Sequence, residues 1–355
     1  MADVDSISRD FRKYDQVTKT HTYRLAEHET DEFDEDYEIA TLDFEPFLHG
    51  GAPDKARFAD AFAGALEEIG FAVLVGHGVD PTLYDETYDV TLDLFTSTQL
   101  SEKMRFRAER HGSVNQGYFP IEETSDIHPD LVEGWVWCRR AFNIPQSRNA
   151  PFRPGDFWPK VEYERQLRPL VLAHEQLFKP IAQAMLQGLG CDPHLLDDKL
   201  TRTNFGLRLN YYPPMTEEQD RSGAARLLGH EDVDLFTILP ASRADGLQVW
   251  NHRSGKWVRM KGPPGSIIIN TGDYMQRISN DRLPSTTHRV GKPSDGSHLT
   301  RARVSFPVAV YVWEDEVLEV LPGLGAPKYE PIKAIAFHTR STSKFYGDDY
   351  AVESA

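Results

Sequence analysis

The sequence predicts a mainly β fold, an antiparallel sandwich or jelly roll wrapped by N-terminal helices. Two observations carry this. Helical patterns occupy the first part of the chain, whereas closely spaced strand patterns fill the part after about Thr203. No internal repeat or Gly/Ser linker interrupts the 355 residues, so one catalytic unit with a helical N-terminal portion is expected.

The elements follow in order. Residues 27–38, EHETDEFDEDYE, hold eight acids and no Lys or Arg, which reads as a solvated, poorly ordered lead covering residues 1–38. Ile39 to Phe44 reads as a short strand. Phe58, Ala61, Phe62, Ala65, Leu66 and Ile69 recur at helical spacing, and Gly70 suits the stop. Phe71 to Val75 is a buried strand. A helix is expected from Pro81 to Gln99, with Leu83, Tyr88, Thr91 and Phe95 along one side.

Residues 105–160 show little periodicity and read as irregular surface with short strands. From Glu162 to Leu189 the helical pattern returns, with Pro169 and Pro180 predicting kinks or a break. Beyond it, Leu207, Leu209 and Tyr211 alternate, as do Val233, Leu235, Thr237 and Leu239. GLQVW and WVRM flank a turn and predict a hairpin. GSIIIN is a dense apolar strand, and RARVSFPVAVYVW reads as one long strand. The expected segments are 1–38, 39–200, a core over 201–320, and 321–355 as a possible cover over the substrate cavity.

Composition narrows the function. The net charge of −16 argues against general affinity for nucleic acid or anionic membrane. The only cysteines, Cys138 and Cys191, are far apart and fit a reducing compartment. The first residues show no secretory pattern, and no apolar run approaches a membrane span. A soluble, cytoplasmic enzyme acting on a small molecule is expected, with its oligomeric state unread. There is no phosphate-binding glycine loop and no nucleophile elbow. HExxH fails because position 234 is Asp. His77, in a GHG turn, reads as structural.

The chemistry lies in GHEDVDLFTILP, Gly229 to Pro240. Residues i and i+2 of a strand point the same way, so His230 and Asp232 converge on one point. Two histidines and one carboxylate with open positions suit non-haem Fe(II) chemistry. The third ligand must come from elsewhere, and His288 in LPSTTHRV stands in the best context. Arg303 and Ser305 share one strand face and make a carboxylate clamp, suited to a keto-acid cosubstrate.

The ordered set NYYPP (Asn210 to Pro214), GHED, STTHRV and RVS resembles the isopenicillin N synthase-like branch of the Fe(II)/2-oxoglutarate-dependent oxygenases. LEEIGFAVLVGHGVD, Leu66 to Asp80, resembles that family's N-terminal module, so the likeness covers roughly residues 39–320. Glu231 departs from the Thr usual in plant members and should face away from the metal. The resemblance implies a double-stranded β-helix (jelly roll) core flanked by α-helices. It makes His230, Asp232 and His288 the iron ligands. It places Arg303, Ser305, Tyr212 through its hydroxyl, and Asn210 at 2-oxoglutarate. Fe(II), 2-oxoglutarate and O2 are implied, with ascorbate supportive in vitro. The expected reaction is oxidation of an unactivated C–H bond, by hydroxylation, desaturation or cyclisation, with release of succinate and CO2. The alternatives are an iron oxidase that does not use 2-oxoglutarate and a non-catalytic ligand-binding jelly roll. The primary substrate is not legible. Recognition surfaces are expected in HGSVNQGYFPIEETSDIHPDLVEGWVW and AFHTRSTSKFYGDDY.

Overall fold

A computed structural model describes residues 10–12, 22–24, 32–121, 131–146, 153–216, 226–291, 300–346 and 352. Ten strands form a major sheet and four form a minor one. The major sheet runs β1 (Thr41–Asp43), β2 (Phe71–Val75), β10 (Ile267–Thr271), β7 (Phe236–Pro240), β13 (Val308–Val310), β5 (Phe205–Tyr212), β4 (Glu133–Cys138), β3 (Val114–Phe119), then the short strand Glu109–His111 at the edge. Strand β12 (Arg303–Ser305) also pairs with β5. The minor sheet runs β9 (Lys256–Arg259), β8 (Leu247–Asn251), β11 (His288–Val290), β6 (Leu227–His230). This is the jelly-roll core the sequence predicts. The expected hairpin is present, with Trp250 opposite Trp257.

Helix α1 (Ala52–Ile69) forms where the sequence places it. The Asp54 carboxylate accepts the Gly51 N–H, and Gly70 closes the helix at φ 73°. Phe58, Phe62 and Leu66 bury its inner face. Helix α2 (Thr82–Ser97) turns a slightly different face inward. Tyr84, Thr87, Val90, Thr91, Leu94 and Phe95 are buried, while Leu83 and Tyr88 are only partly so. Helix α3 (Val161–Gly188) contains Pro169 and Pro180 yet is one continuous element, so of the expected kinks or break the break does not occur. Its stripe Leu167, Leu170, Val171, Leu177, Phe178 and Ile181 packs into the core, and that burial outweighs the two missing N–H donors.

Three further expectations are corrected. Residues 105–160 are not mainly irregular surface. β3 and β4 extend the major sheet, and Trp135, Trp137 and Trp158 stack in the core, with ring centroids 5.0 and 4.0 Å apart. Both faces of β4 are covered, so no apolar–polar alternation marked it. The single long strand in RARVSFPVAVYVW is two, β12 and β13, with Phe306 and Pro307 between them. The acidic lead is held from Glu32 onward. The Trp257 N–H donates to the Glu32 carbonyl at 3.0 Å, the Asp34 N–H donates to the Trp257 carbonyl at 2.9 Å, and Arg259 lies over the Phe33 ring. Most of residues 1–31, on which the rest of that reading falls, lies outside the described residues.

The boundary at residue 200 does not divide the sheet, since five of its ten strands come from residues 39–200. His77 is structural in its contacts. Nδ1 accepts the Val79 N–H at 3.2 Å and Nε2 donates to the Gly265 carbonyl at 2.8 Å. In the C-terminal segment, helix α4 (Ala334–Tyr346) buries Phe337 and His338 against Tyr274. No helix among the described residues is long and apolar enough to cross a membrane.

Candidate active site

The mouth of the jelly roll is built by strand register. On β6 and β11, His230 stands directly opposite His288, and their ring centroids are 4.4 Å apart. Asp232 follows two residues beyond His230. Its Oδ1 is 3.8 Å from His230 Nε2, and its Oδ2 is 3.9 Å from His288 Nε2. One donor atom from each of the three lies within 4.8 Å of the other two, so the group can hold a metal ion.

Neighbouring groups fix two of the donors. His288 Nδ1 donates to the Thr286 carbonyl at 3.1 Å, which leaves Nε2 as the lone-pair nitrogen. The Phe71 ring meets the His288 ring edge-on at 5.3 Å. Asp232 Oδ2 accepts from Thr237 at 3.0 Å and from Asn270 at 2.9 Å. Thr237 and Asn270 are themselves opposite each other on β7 and β10. Burial pushes the Asp232 carboxyl up, but the two imidazoles and these two hydrogen bonds outweigh it and hold the group below the ordinary value. Asp234 behind it is pushed well up by burial and by Asp232. Glu231 accepts from Thr287 Oγ1 at 3.0 Å.

The second group comes from β5 and β12, where Arg303 is opposite Tyr212 and Ser305 is opposite Asn210. Asn210 Nδ2 donates to Ser305 Oγ at 3.3 Å. The Arg303 guanidinium lies 4.9 Å from the Tyr212 ring centroid, so the ring face supports the cation. Arg303 is 3% exposed, and among the described residues its Nε and Nη1 have no hydrogen-bond partner. Two buried N–H groups without an acceptor are costly unless an anion completes them, and a carboxylate supplies acceptors to a guanidinium. Arg303 also lines a cavity of about 170 Å3, walled by Leu239, Leu247, Met260 and Ile268.

The structure therefore brings together all seven residues singled out in the sequence, in two groups. It adds Thr237 and Asn270, for which the sequence offered no signal beyond their strands. It also adds Arg226, buried just before β6. Burial and the neighbouring Arg303 push its guanidinium down, with Tyr212 and Asp245 opposing.

Two family profiles match the chain. The 2OG-Fe(II) oxygenase superfamily covers residues 203–310, and the N-terminal region of non-haem dioxygenases in morphine synthesis covers residues 39–161. The chain belongs to the Fe(II)/2-oxoglutarate-dependent oxygenases. Among its relatives, the 2-oxoglutarate-Fe(II) type oxidoreductase ppzC of Metarhizium majus is 27% identical over 87% of this chain and 88% of that protein. DMR6-LIKE OXYGENASE 2 of Arabidopsis thaliana is 26% identical over 76% of this chain and 72% of that protein. A full-length Neurospora crassa protein crystallised in complex with α-KG superposes with a TM-score of 0.74 at 22% identity, covering 88% of this chain and 98% of that one. A 2OG-Fe(II) oxygenase family protein from Caulobacter crescentus gives 0.70 at 26% identity, covering 87% and 97%. The oxygenase is thus an oxidoreductase that works with Fe(II), 2-oxoglutarate and O2.

Proposed function

We propose that His230, Asp232 and His288 hold the Fe(II) of this oxygenase and that Arg303 with Ser305 takes the distal carboxylate of 2-oxoglutarate. The reaction in this reading is oxidation of an unactivated C–H bond of a small molecule, with hydroxylation as the default outcome and release of succinate and CO2. The observation that carries it is the pairing of a three-donor cluster with a buried arginine whose Nε and Nη1 have no acceptor. The donor set suits Fe(II), because two imidazoles and one carboxylate leave coordination positions for other ligands. Bound together, the metal and 2-oxoglutarate supply the power to oxidise C–H bonds with O2.

The residues of the chain position and exclude. His288 presents Nε2 because its Nδ1–H is committed to the Thr286 carbonyl. Thr237 and Asn270 occupy Asp232 Oδ2 and hold the carboxylate in one orientation. Phe71 shields one side of His288 from water. Asn210 orients the Ser305 hydroxyl, and the Tyr212 ring supports the Arg303 guanidinium.

The test is succinate release from 2-oxoglutarate by the full-length protein with Fe(II) and ascorbate, together with metal titration. His230→Ala, Asp232→Ala and His288→Ala should each abolish succinate and weaken Fe(II) binding while the circular dichroism spectrum stays native. A variant that keeps full turnover at saturating iron removes its residue from the ligand set.

A further inference from the structure

We propose that Arg208 anchors the primary substrate and that the substrate class is an organic acid with a flat or apolar body, its carboxylate meeting the guanidinium. The proposal rests on the C–H oxygenase reading above and adds the substrate class. β5 alternates, so Arg208, Asn210 and Tyr212 share the face that carries the 2-oxoglutarate clamp. Arg208 therefore stands about 7 Å along that face from Asn210 and further from the clamp arginine. Its Nε donates to Asn210 Oδ1 at 2.8 Å.

Two observations say that this arginine awaits an anion. It is half-buried, yet among the described residues it has no carboxylate partner. Arg139 and Arg140, on the neighbouring stretch of chain, do have one, in Glu175 and Glu314. Finally, the surroundings are apolar and aromatic. Arg208 Cζ is 5.5 Å from the Phe119 ring centroid, Val136 is its direct cross-strand partner, and Phe119 and Tyr311 pack against a cluster containing Val136. A cation beside such a wall fits a ligand that is anionic at one end and flat or apolar along its body. The distal carboxylate of 2-oxoglutarate already has Arg303 in this reading, which leaves Arg208 for the second molecule.

The competing role for Arg208 is to steady Asn210 and thereby the cosubstrate clamp. The experiment uses the full-length enzyme loaded with Fe(II) and 2-oxoglutarate under argon. Benzoate, cinnamate and 4-phenylbutyrate are titrated beside their amides, with the visible absorbance of the loaded enzyme as the binding signal. The expected result is that at least one acid binds about tenfold or more tightly than its amide. Arg208→Gln should abolish that preference and Arg208→Lys should retain part of it, whereas Asn210→Ala, which keeps the guanidinium and loses its contact to the clamp, should keep the preference whatever its KM for 2-oxoglutarate. Equal binding of acid and amide, no binding of any acid, or an acid preference that survives in Arg208→Gln overturns the proposal. Wild-type enzyme that releases no succinate from 2-oxoglutarate instead overturns the underlying reading.

Discussion

The chemistry of single residues divides cleanly between the two groups of the site. At the three-donor group, His288 and Asp232 are held by hydrogen bonds with Thr286, Thr237 and Asn270. At the clamp, Arg303 is shaped by what it lacks, since its Nε and Nη1 are buried without acceptors. Arg303→Lys keeps the charge and loses the planar fork. The expected outcome is a KM for 2-oxoglutarate raised by the equivalent of about 1.5–3 kcal/mol, read from succinate release at saturating iron. Iron affinity should be untouched, because Arg303 belongs to a different strand pair from the three donors. An unchanged KM would remove Arg303 from the cosubstrate site.

Elements set how these residues meet. The carboxylate of Asp232 is held by Thr237 and Asn270, which face each other across β7 and β10. Asn270→Ala should lower metal affinity by roughly 10–100-fold, as loss of a group that orients a ligand does. Isothermal titration with Fe(II) checks this, and thermal melting without metal separates it from a loss of fold. Between α1 and α3 the decisive feature is a close approach. A Cβ on Gly188 would stand 2.2 Å from the Ala59 carbonyl oxygen. On an exposed helix Gly→Ala stabilises by up to about 1 kcal/mol. Here the helices must part, so Gly188→Ala should instead cost about 1–3 kcal/mol in denaturant unfolding. A stabilising sign would mean that the two helices are not in contact there.

Across the whole molecule, the helical layer buries a histidine that carries a pH dependence of stability. His174 on α3 is fully enclosed, near the Tyr84 hydroxyl, and burial, reinforced by His77, pushes its pKa down to about 3. The folded protein then stays unprotonated there, while the unfolded chain takes up a proton below about pH 6.5. Stability from this group is complete above that value and is lost as pH falls towards 3. His174→Gln cannot titrate and retains a polar group for Tyr84. Its loss of unfolding free energy between pH 7 and pH 5 should be smaller than that of the wild type by about 2 kcal/mol. Equal losses in the two proteins would show that His174 is protonated in the fold.

Sequence alone determined the features written in short-range periodicity. Arg303 and Ser305 are two residues apart on β12, so the strand sends both to one face, whereas His230 ends β6 and Asp232 lies in the turn beyond it, where the two-residue spacing kept them close. The motifs NYYPP, GHED, STTHRV and RVS carry the family because each lies within a single element or turn. Tertiary structure decided what depends on one element meeting another. It set His288 opposite His230 and brought Asn270 to Asp232 from 38 residues away. It placed Arg208 beside Phe119 through three adjacent strands. It also drew β3 and β4 into the major sheet, where cover on both faces erased the alternation that marks a strand, and kept α3 continuous across two prolines. Local geometry fixes which way a side chain leaves the backbone. Which partner it finds there is set by the packing of whole sheets and helices, whose free energy is spread over contacts far apart in the chain.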